Sequence, residues 1–303
     1  VYVHLATFIN VGEGGAEIVR DIIRGIARFK INKPLTLSYV SDEDGRVKNV
    51  EVIEGSSYNG VEWEYEMTFA DAESISEADG GMGLQIFWNR YPRKGIAILK
   101  PYNIDRDESG DFADAIFLID YSEAGENGYD AHMIVEITGL PVLDPLENPY
   151  TMSTLKMFVG KTGDIVEVYG NSNHPNAKFF NSDSGFNWAF VAVGDERQDI
   201  GVAEVGLPFS ELDESSREVL LGDYSIKNVF TQQIYEVWPN ISPESVETFL
   251  LNSEAPGFFN RYGFVQGGTS PGSQYNSIME IIPSLSPYNP KDIADLTISF
   301  KMN

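Results

Sequence analysis

Hydrophobic and polar side chains alternate without a fault from Val61 to Phe69. Val61, Trp63, Tyr65, Met67 and Phe69 fall on one side, and Glu62, Glu64, Glu66 and Thr68 on the other. Successive side chains of a strand leave on opposite faces, so this segment predicts a half-buried strand with an aromatic face in a core and an acidic face in water. The same alternation, Leu296, Ile298, Phe300 and Met302 against Thr297, Ser299 and Lys301, predicts a strand at the C-terminal end of the sequence. One-sided strands belong to antiparallel sheets, because parallel strands are usually covered on both faces and read as continuous apolar runs. After Pro34, Leu35, Leu37 and Tyr39 alternate with Thr36 and Ser38, and Val47 to Ile53 returns after a turn at Ser41-Asp42-Glu43-Asp44-Gly45. That pattern predicts a hairpin with Gly45 at positive φ. Further strands are expected at 84–88, 95–99, 115–121, 131–138, 165–169, 186–193 and 201–205, a recurrence typical of sandwiches and barrels.

The period changes in a few places. From Glu13 to Lys30, Ile18, Val19, Ile22, Ile23 and Ile26 form one apolar stripe of a helix, with Arg28 and Lys30 at the negative end of its dipole. Ser210 is placed to cap a helix over 211–221, and Ile226, Val229, Phe230, Ile234 and Val237 recur at helical spacing. Ser242-Pro243-Glu244 ahead of Val246, Phe249 and Leu250 is a start signal for one more helix. The fold class expected is therefore mainly β, a large antiparallel barrel or a two-sheet sandwich. An N-terminal amphipathic helix packs on the sheet, and a few helices near 210–252 cover an edge or end. Residues 1–303 are read as one β-rich unit, with a subdivision at 139–150, where Pro141, Pro145 and Pro149 cluster, as the alternative.

Composition narrows the partners. The chain carries 46 acids against 21 bases, a net charge of −25, which repels phosphate backbones and anionic membrane faces and disfavours nucleic acid. A neutral glycan or a protein partner remains. With 42% hydrophobic and 12% aromatic residues there is material for a sizeable core. There is no cysteine, which excludes disulfides, thiolate catalysis, zinc–thiolate sites and iron–sulfur clusters, and suits an oxidising exterior. No apolar run approaches the roughly 20 residues of a membrane-spanning helix. Val1 is not an initiator methionine, and a signal peptide or lipid anchor upstream of it is consistent with that.

The sharpest local motif is Asp105-Arg106-Asp107-Glu108-Ser109-Gly110-Asp111. Oxygen side chains at Asp105, Asp107, Ser109 and Asp111 with glycine in sixth place match the first half of a calcium loop. The twelfth position is Ile116 in place of a bidentate glutamate, so a solvated turn is the favoured reading and calcium the alternative. No other cofactor is expected. Asn171, Asn173, His174 and Asn176 form a polar stretch after a strand ending at Tyr169, read as a loop whose amides and imidazole suit a sugar. Tyr91, beside Asn89, Arg90 and Pro92, is the best candidate for an exposed stacking ring, since Trp63, Trp88 and Trp188 fall inside strands and are expected in the core. His132 and Glu136 share a strand face about 13 Å apart, too far to act together without a partner from another strand.

No Gly-x-Ser-x-Gly elbow, phosphate-binding loop or dinucleotide glycine pattern is present. In overall character, acidic, cysteine-free and rich in Asn, Gly, Tyr and Asp, the chain resembles mature exported or surface lipoproteins of Gram-negative bacteria. That resemblance is one of composition and implies an extracytoplasmic place, at the cell surface or in the periplasm. The reading that follows is a non-catalytic binding or surface-assembly protein. The alternative is a carbohydrate-active hydrolase working through paired carboxylates, for which 46 acids single out no pair.

Overall fold

The alternating segments pair in the order in which they occur in the chain. The computed structural model describes residues 5–28, 31–107, 110–142, 144, 148, 150–177 and 185–302. The chain divides into two units, one made of Gly12–Pro141 with Thr297–Asn303 and the other of Val1–Val11 with Val142–Leu296. Helix α1 (Leu5–Arg28) starts eight residues earlier than its apolar stripe predicts and contributes residues to both.

The first unit holds seven strands, each antiparallel to the next: β1 (Leu35–Val40), β2 (Val47–Tyr58), β3 (Val61–Asp71), β4 (Met82–Asn89), β5 (Lys94–Leu99), β6 (Ile116–Ser122) and β7 (Ala131–Thr138). A one-turn helix, α2 (Pro101–Ile104), follows β5. The second unit holds β8 (Thr154–Thr162), β9 (Ile165–His174), β10 (Phe186–Asp195), β11 (Ile200–Gly206), β12 (Gly257–Asn260) and β13 (Gly263–Gly267), again each antiparallel to the next. Its helices are α3 (Ile226–Val237), α4 (Pro243–Phe249), α5 (Asn276–Ile281) and α6 (Pro290–Ala294). The mainly β, antiparallel expectation holds. Among the described residues neither run of strands closes on itself into a barrel.

Helix α1 packs on the sheet of the first unit through Val19, Ile22 and Ile26, the predicted stripe. Gly15 lets it approach closely: a Cβ there would sit 3.1 Å from Val135 of β7. The other face carries a core of Tyr58, Trp63, Phe87, Ile96, Ile98 and Phe300.

Strand β3 departs from the perfect alternation. Trp63 belongs to the Phe87–Phe300 core, whereas Tyr65 stacks on Trp88 in the core on the α1 side. The facing flips between them, where Gly55 of β2, at φ 70°, lies between the pairs Glu54–Tyr65 and Ser56–Trp63. Glu64 is exposed as expected, but Glu66 is 2% exposed and not in water. Its carboxylate accepts from Ser56 Oγ (2.5 Å), Gln85 Nε2 (2.7 Å) and Lys301 Nζ (2.8 Å). Burial works against ionisation, yet these donors outweigh it and hold the Glu66 pKa below the usual carboxylate value.

The C-terminal alternation is real, but the segment is not a strand. Residues 296–302 pair with no neighbour as a ladder. Instead Ile298 and Phe300 drop into the Trp63 core while side chains satisfy the backbone. The Lys301 amide donates to Gln85 Oε1 (2.8 Å), Gln85 Nε2 donates to the Lys301 carbonyl (3.2 Å), and Tyr58 Oη donates to the Ser299 carbonyl (3.2 Å). Backbone groups under cover need partners of some kind, and here side chains do what a neighbouring strand would.

The second unit centres on Val191, Val193 and Val202 of β10 and β11 with Leu220, Phe258, Tyr275 and Ile278. Ser242 caps α4 as its sequence signals, accepting from the Ser245 amide at 3.2 Å. The helix expected over 211–221 does not form. A single π-helical turn occupies Glu218–Asp223, and Ser210 Oγ donates to Asn173 Oδ1 (2.6 Å) in place of capping. No described helix is long and apolar enough to cross a membrane.

Candidate functional site

In the first unit a cavity of about 430 Å³ opens between α1 and strands β4, β5 and β6. Its apolar walls come from three stretches distant in sequence: Ile22, Ile23 and Ile26 on the helix, Ile86 and Trp88 on β4, and Ile119 with Tyr121 on β6. Volumes of about 300–1,000 Å³ are usual for small-molecule sites. Period two on the strands and period 3.6 on the helix turn these side chains toward one space.

Its polar lining is one-sided in charge. Arg90, Arg93 and Lys94 line the cavity and, among the described residues, no carboxylate does, in a chain whose acids outnumber its bases by 46 to 21. Arg90 pairs with Glu64 (3.0 Å), Arg93 with Glu123 (3.4 Å) and Lys94 with Glu126 (3.2 Å). The first two pairs are largely exposed, and exposed pairs hold together by only about 0–1 kcal/mol, so their cations are available to exchange partners. Arg90 also lies over the Tyr65 ring at 5.1 Å. Trp88, 6% exposed, stacks on Tyr65 with centroids 5.2 Å apart, and its indole N–H has no hydrogen-bond partner among the described residues. Tyr121 donates to Glu123 (2.5 Å), and burial together with that carboxylate pushes its phenol pKa up, so it stays a neutral donor.

Tyr91, 86% exposed, sits in this lining, directly after β4. The remaining sugar-site candidates belong to the second unit. Asn171, Asn173 and His174 are not in a loop: β9 runs on to His174, five residues past Tyr169. Asn171 and Asn173 are buried, and of their side-chain polar atoms only Asn171 Nδ2 lacks a partner among the described residues. Asn171 Oδ1 accepts from the Tyr288 amide (2.7 Å), and Asn173 Nδ2 donates to Ser153 Oγ (3.0 Å) while its Oδ1 accepts from Asn187 Nδ2 (3.2 Å) and Ser210 Oγ. Only Asn176 lies in the turn that follows, half-buried.

His174 Nδ1 is 2.9 Å from the Tyr150 carbonyl, which only accepts, so Nδ1 carries the proton. Nε2 then accepts from Ser172 Oγ at 2.8 Å. Burial pulls the pKa down to about 4, with the Tyr150 bond a smaller effect in the other direction, so the ring is neutral at pH 7.

In the calcium-like loop, Asp105 Oδ1 accepts from the Asp107 amide (2.9 Å), an ordinary Asx turn. The intervening Arg106 donates its amide to Asp44 (3.1 Å) and its guanidinium to Glu77 (2.8 Å). Those bonds tie the loop to a buried cluster in which Lys48, its side chain fully covered, donates to Asp44 (2.6 Å) beside Asp71 (3.5 Å). Ser109 and the Asp111 side chain lie outside the described residues. Among the described residues no three His, Asp or Glu gather as a metal site.

The missing partner for His132 and Glu136 comes from β6. Asp120 pairs with Ile134 and therefore shares a face with both. Burial raises the Asp120 pKa, with smaller effects from His132 and Lys94, which lower it, and from Glu126 and Glu136, which raise it. None of Asp120, His132 and Glu136 lines the cavity.

Tyr91 is the one residue of this lining that the sequence singles out as an exposed ring. The basic wall also left a local signal: three of 21 bases fall between Arg90 and Lys94. No protein-family model, curated protein or solved structure matches this chain.

Proposed function

We propose that this chain is a non-catalytic binding protein that takes a largely apolar small molecule into the cavity between α1 and β4–β6. The observation that carries this reading is the lining itself, rich in isoleucines and aromatic rings and, among the described residues, without a carboxylate. A glycosidase needs two carboxyl groups flanking its substrate, and a sugar pocket needs hydrogen-bonding groups on its walls. The cavity presents no carboxylate pair among the described residues and mostly apolar walls. Of the asparagines that suggested sugar binding, Asn173 is engaged at both side-chain atoms and Asn171 holds the Tyr288 amide. The compositional resemblance to exported proteins supports a place outside the cytoplasm, with which a cysteine-free chain is compatible.

The test is titration with the neutral fluorophore N-phenyl-1-naphthylamine. Saturable one-to-one binding that Ile23→Arg abolishes, and that Trp238→Ala leaves intact, is the expected result. Binding that ignores Ile23→Arg, or none at all, overturns the reading. A protein partner is the second reading, favoured by one observation in the second unit. Val237, Trp238, Phe249 and Leu251 are 66, 59, 74 and 72% exposed, an apolar group of the kind that marks contact surfaces.

A further inference from the structure

Resting on that reading, we propose that the ligand carries one aliphatic chain and one anionic head, with Arg90 and Arg93 as the residues that hold the head at the cavity mouth. A purely apolar ligand needs no charged wall, and a cationic one would be repelled by Arg90, Arg93 and Lys94, which line the cavity with no acid beside them among the described residues. Chance does not favour that segregation in a chain of net charge −25. The surrounding acids Glu64, Glu123 and Glu126 bind these cations from outside the lining.

An incoming carboxylate or phosphate monoester replaces Glu64 on Arg90 and Glu123 on Arg93. The side chains of these four residues are 37 to 60% exposed, so exchange leaves no displaced carboxylate buried. A guanidinium suits either head, since its fork of donors matches two acceptor oxygens at once. Lys94, at 28% side-chain exposure, is the more covered cation and adds charge. Trp88 contributes its ring to the same lining, an apolar surface for the chain. A cavity of about 430 Å³ suits one chain better than the two acyl chains of a bilayer lipid. The strongly negative surface elsewhere then keeps the protein off anionic bilayers while the mouth still accepts a single charge.

Dodecanoate, dodecyl phosphate, dodecanol and dodecyltrimethylammonium, each below its micelle concentration, compete against bound N-phenyl-1-naphthylamine. The expected result is displacement by at least one of the two anions at about tenfold lower concentration than dodecanol, with the quaternary ammonium weakest. The stronger anion identifies the head as carboxylate or phosphate. Each two methylenes added from octyl to dodecyl should tighten binding about tenfold. In Arg90→Gln/Arg93→Gln the anion-to-alcohol ratio should fall to about one, while Arg197→Gln, an exposed charge in the other unit, keeps it. Both anions level with dodecanol in the unaltered protein overturn the head-group assignment and leave the apolar-pocket reading standing. An anion preference that survives Arg90→Gln/Arg93→Gln overturns the assignment of these residues. Failure of the fluorophore to bind removes both.

Discussion

Between pH 6.5 and 4 the unfolded chain takes up a proton at residue 174 that the folded chain refuses. His174 is locked as the Nδ1–H tautomer, donating to Tyr150 O and accepting from Ser172 Oγ, with its ring stacked on Phe186 at 5.0 Å and 11°. Protonating Nε2 would aim a second N–H at the Ser172 hydroxyl, whose own proton would have to turn away. Folded, the pKa is held near 4, against about 6.5 unfolded. The sign follows from linkage. A base with a depressed folded pKa leaves stability intact above the unfolded value. Stability then falls as pH drops, because only the unfolded state gains the proton. Over about 2.5 pH units at about 1.36 kcal/mol each, the loss approaches 3 kcal/mol near pH 4. Carboxylates titrate in the lower part of this range, so the measurement is a difference. Urea unfolding of the native chain and of His174→Gln at pH 7.5, 6.5, 5.5 and 4.5 isolates the imidazole. His174→Gln should be the less stable at pH 7.5, and the gap should narrow by about 2–3 kcal/mol by pH 4.5. An NMR titration of the imidazole should give a midpoint near 4. A midpoint near 6.5, or two parallel stability curves, refutes the reasoning.

Four further outcomes follow from the packing and the loop geometry. Trp63→Ala, in the core with Phe87 and Phe300, should cost about 3–5 kcal/mol in chemical denaturation. Glu64→Ala should change stability by less than about 0.5 kcal/mol, since Glu64 is exposed and its bond to Arg90 is a surface pair. Glu66→Ala, two residues on, should cost about 3 kcal/mol because it strips a buried anchor from Lys301, Gln85 and Ser56. Millimolar calcium should leave the thermal midpoint unmoved, as Asp105 is committed to its own turn. A rise lost in Asp105→Asn/Asp107→Asn would show a calcium site.

Strands β4, β5, β6 and β7 lie within a few residues of their expected positions, legible as short apolar runs and not by alternation, since cores on both faces of the sheet bury neighbours such as Ile86, Phe87 and Trp88 alike. Strand β8 was not, since Leu155, Met157 and Phe158 are all buried, which breaks the alternation without making a continuous apolar run. Asn171 to His174 read as a loop because Asn and Ser are turn residues in isolation. Partners at Ser153, Asn187, Ser210 and Tyr288, far along the chain, complete their hydrogen bonds and keep them in a strand. Glu66 misled for a similar reason: its neutralising lysine is 235 positions away. The cavity was invisible because its walls come from residues 19–32, 86–97 and 119–121. Only the basic cluster at Arg90, Arg93 and Lys94 gave it away locally.

The clamp on residues 297–302 has a consequence for the order in which the chain becomes native as it is delivered N-terminus first. The seven strands of the first unit are complete once Thr138 has emerged, but Phe300, which closes their core, and Lys301, which neutralises Glu66, come only after residues 142–296. At about 5–20 residues per second that interval lasts roughly ten to thirty seconds. During it the Trp63 core lacks Ile298 and Phe300 and a buried acid lacks its cation, while residues 142–296 complete the second unit. The intervening domain should therefore reach its native state first, and the strands made earliest should be the last to become protease-resistant.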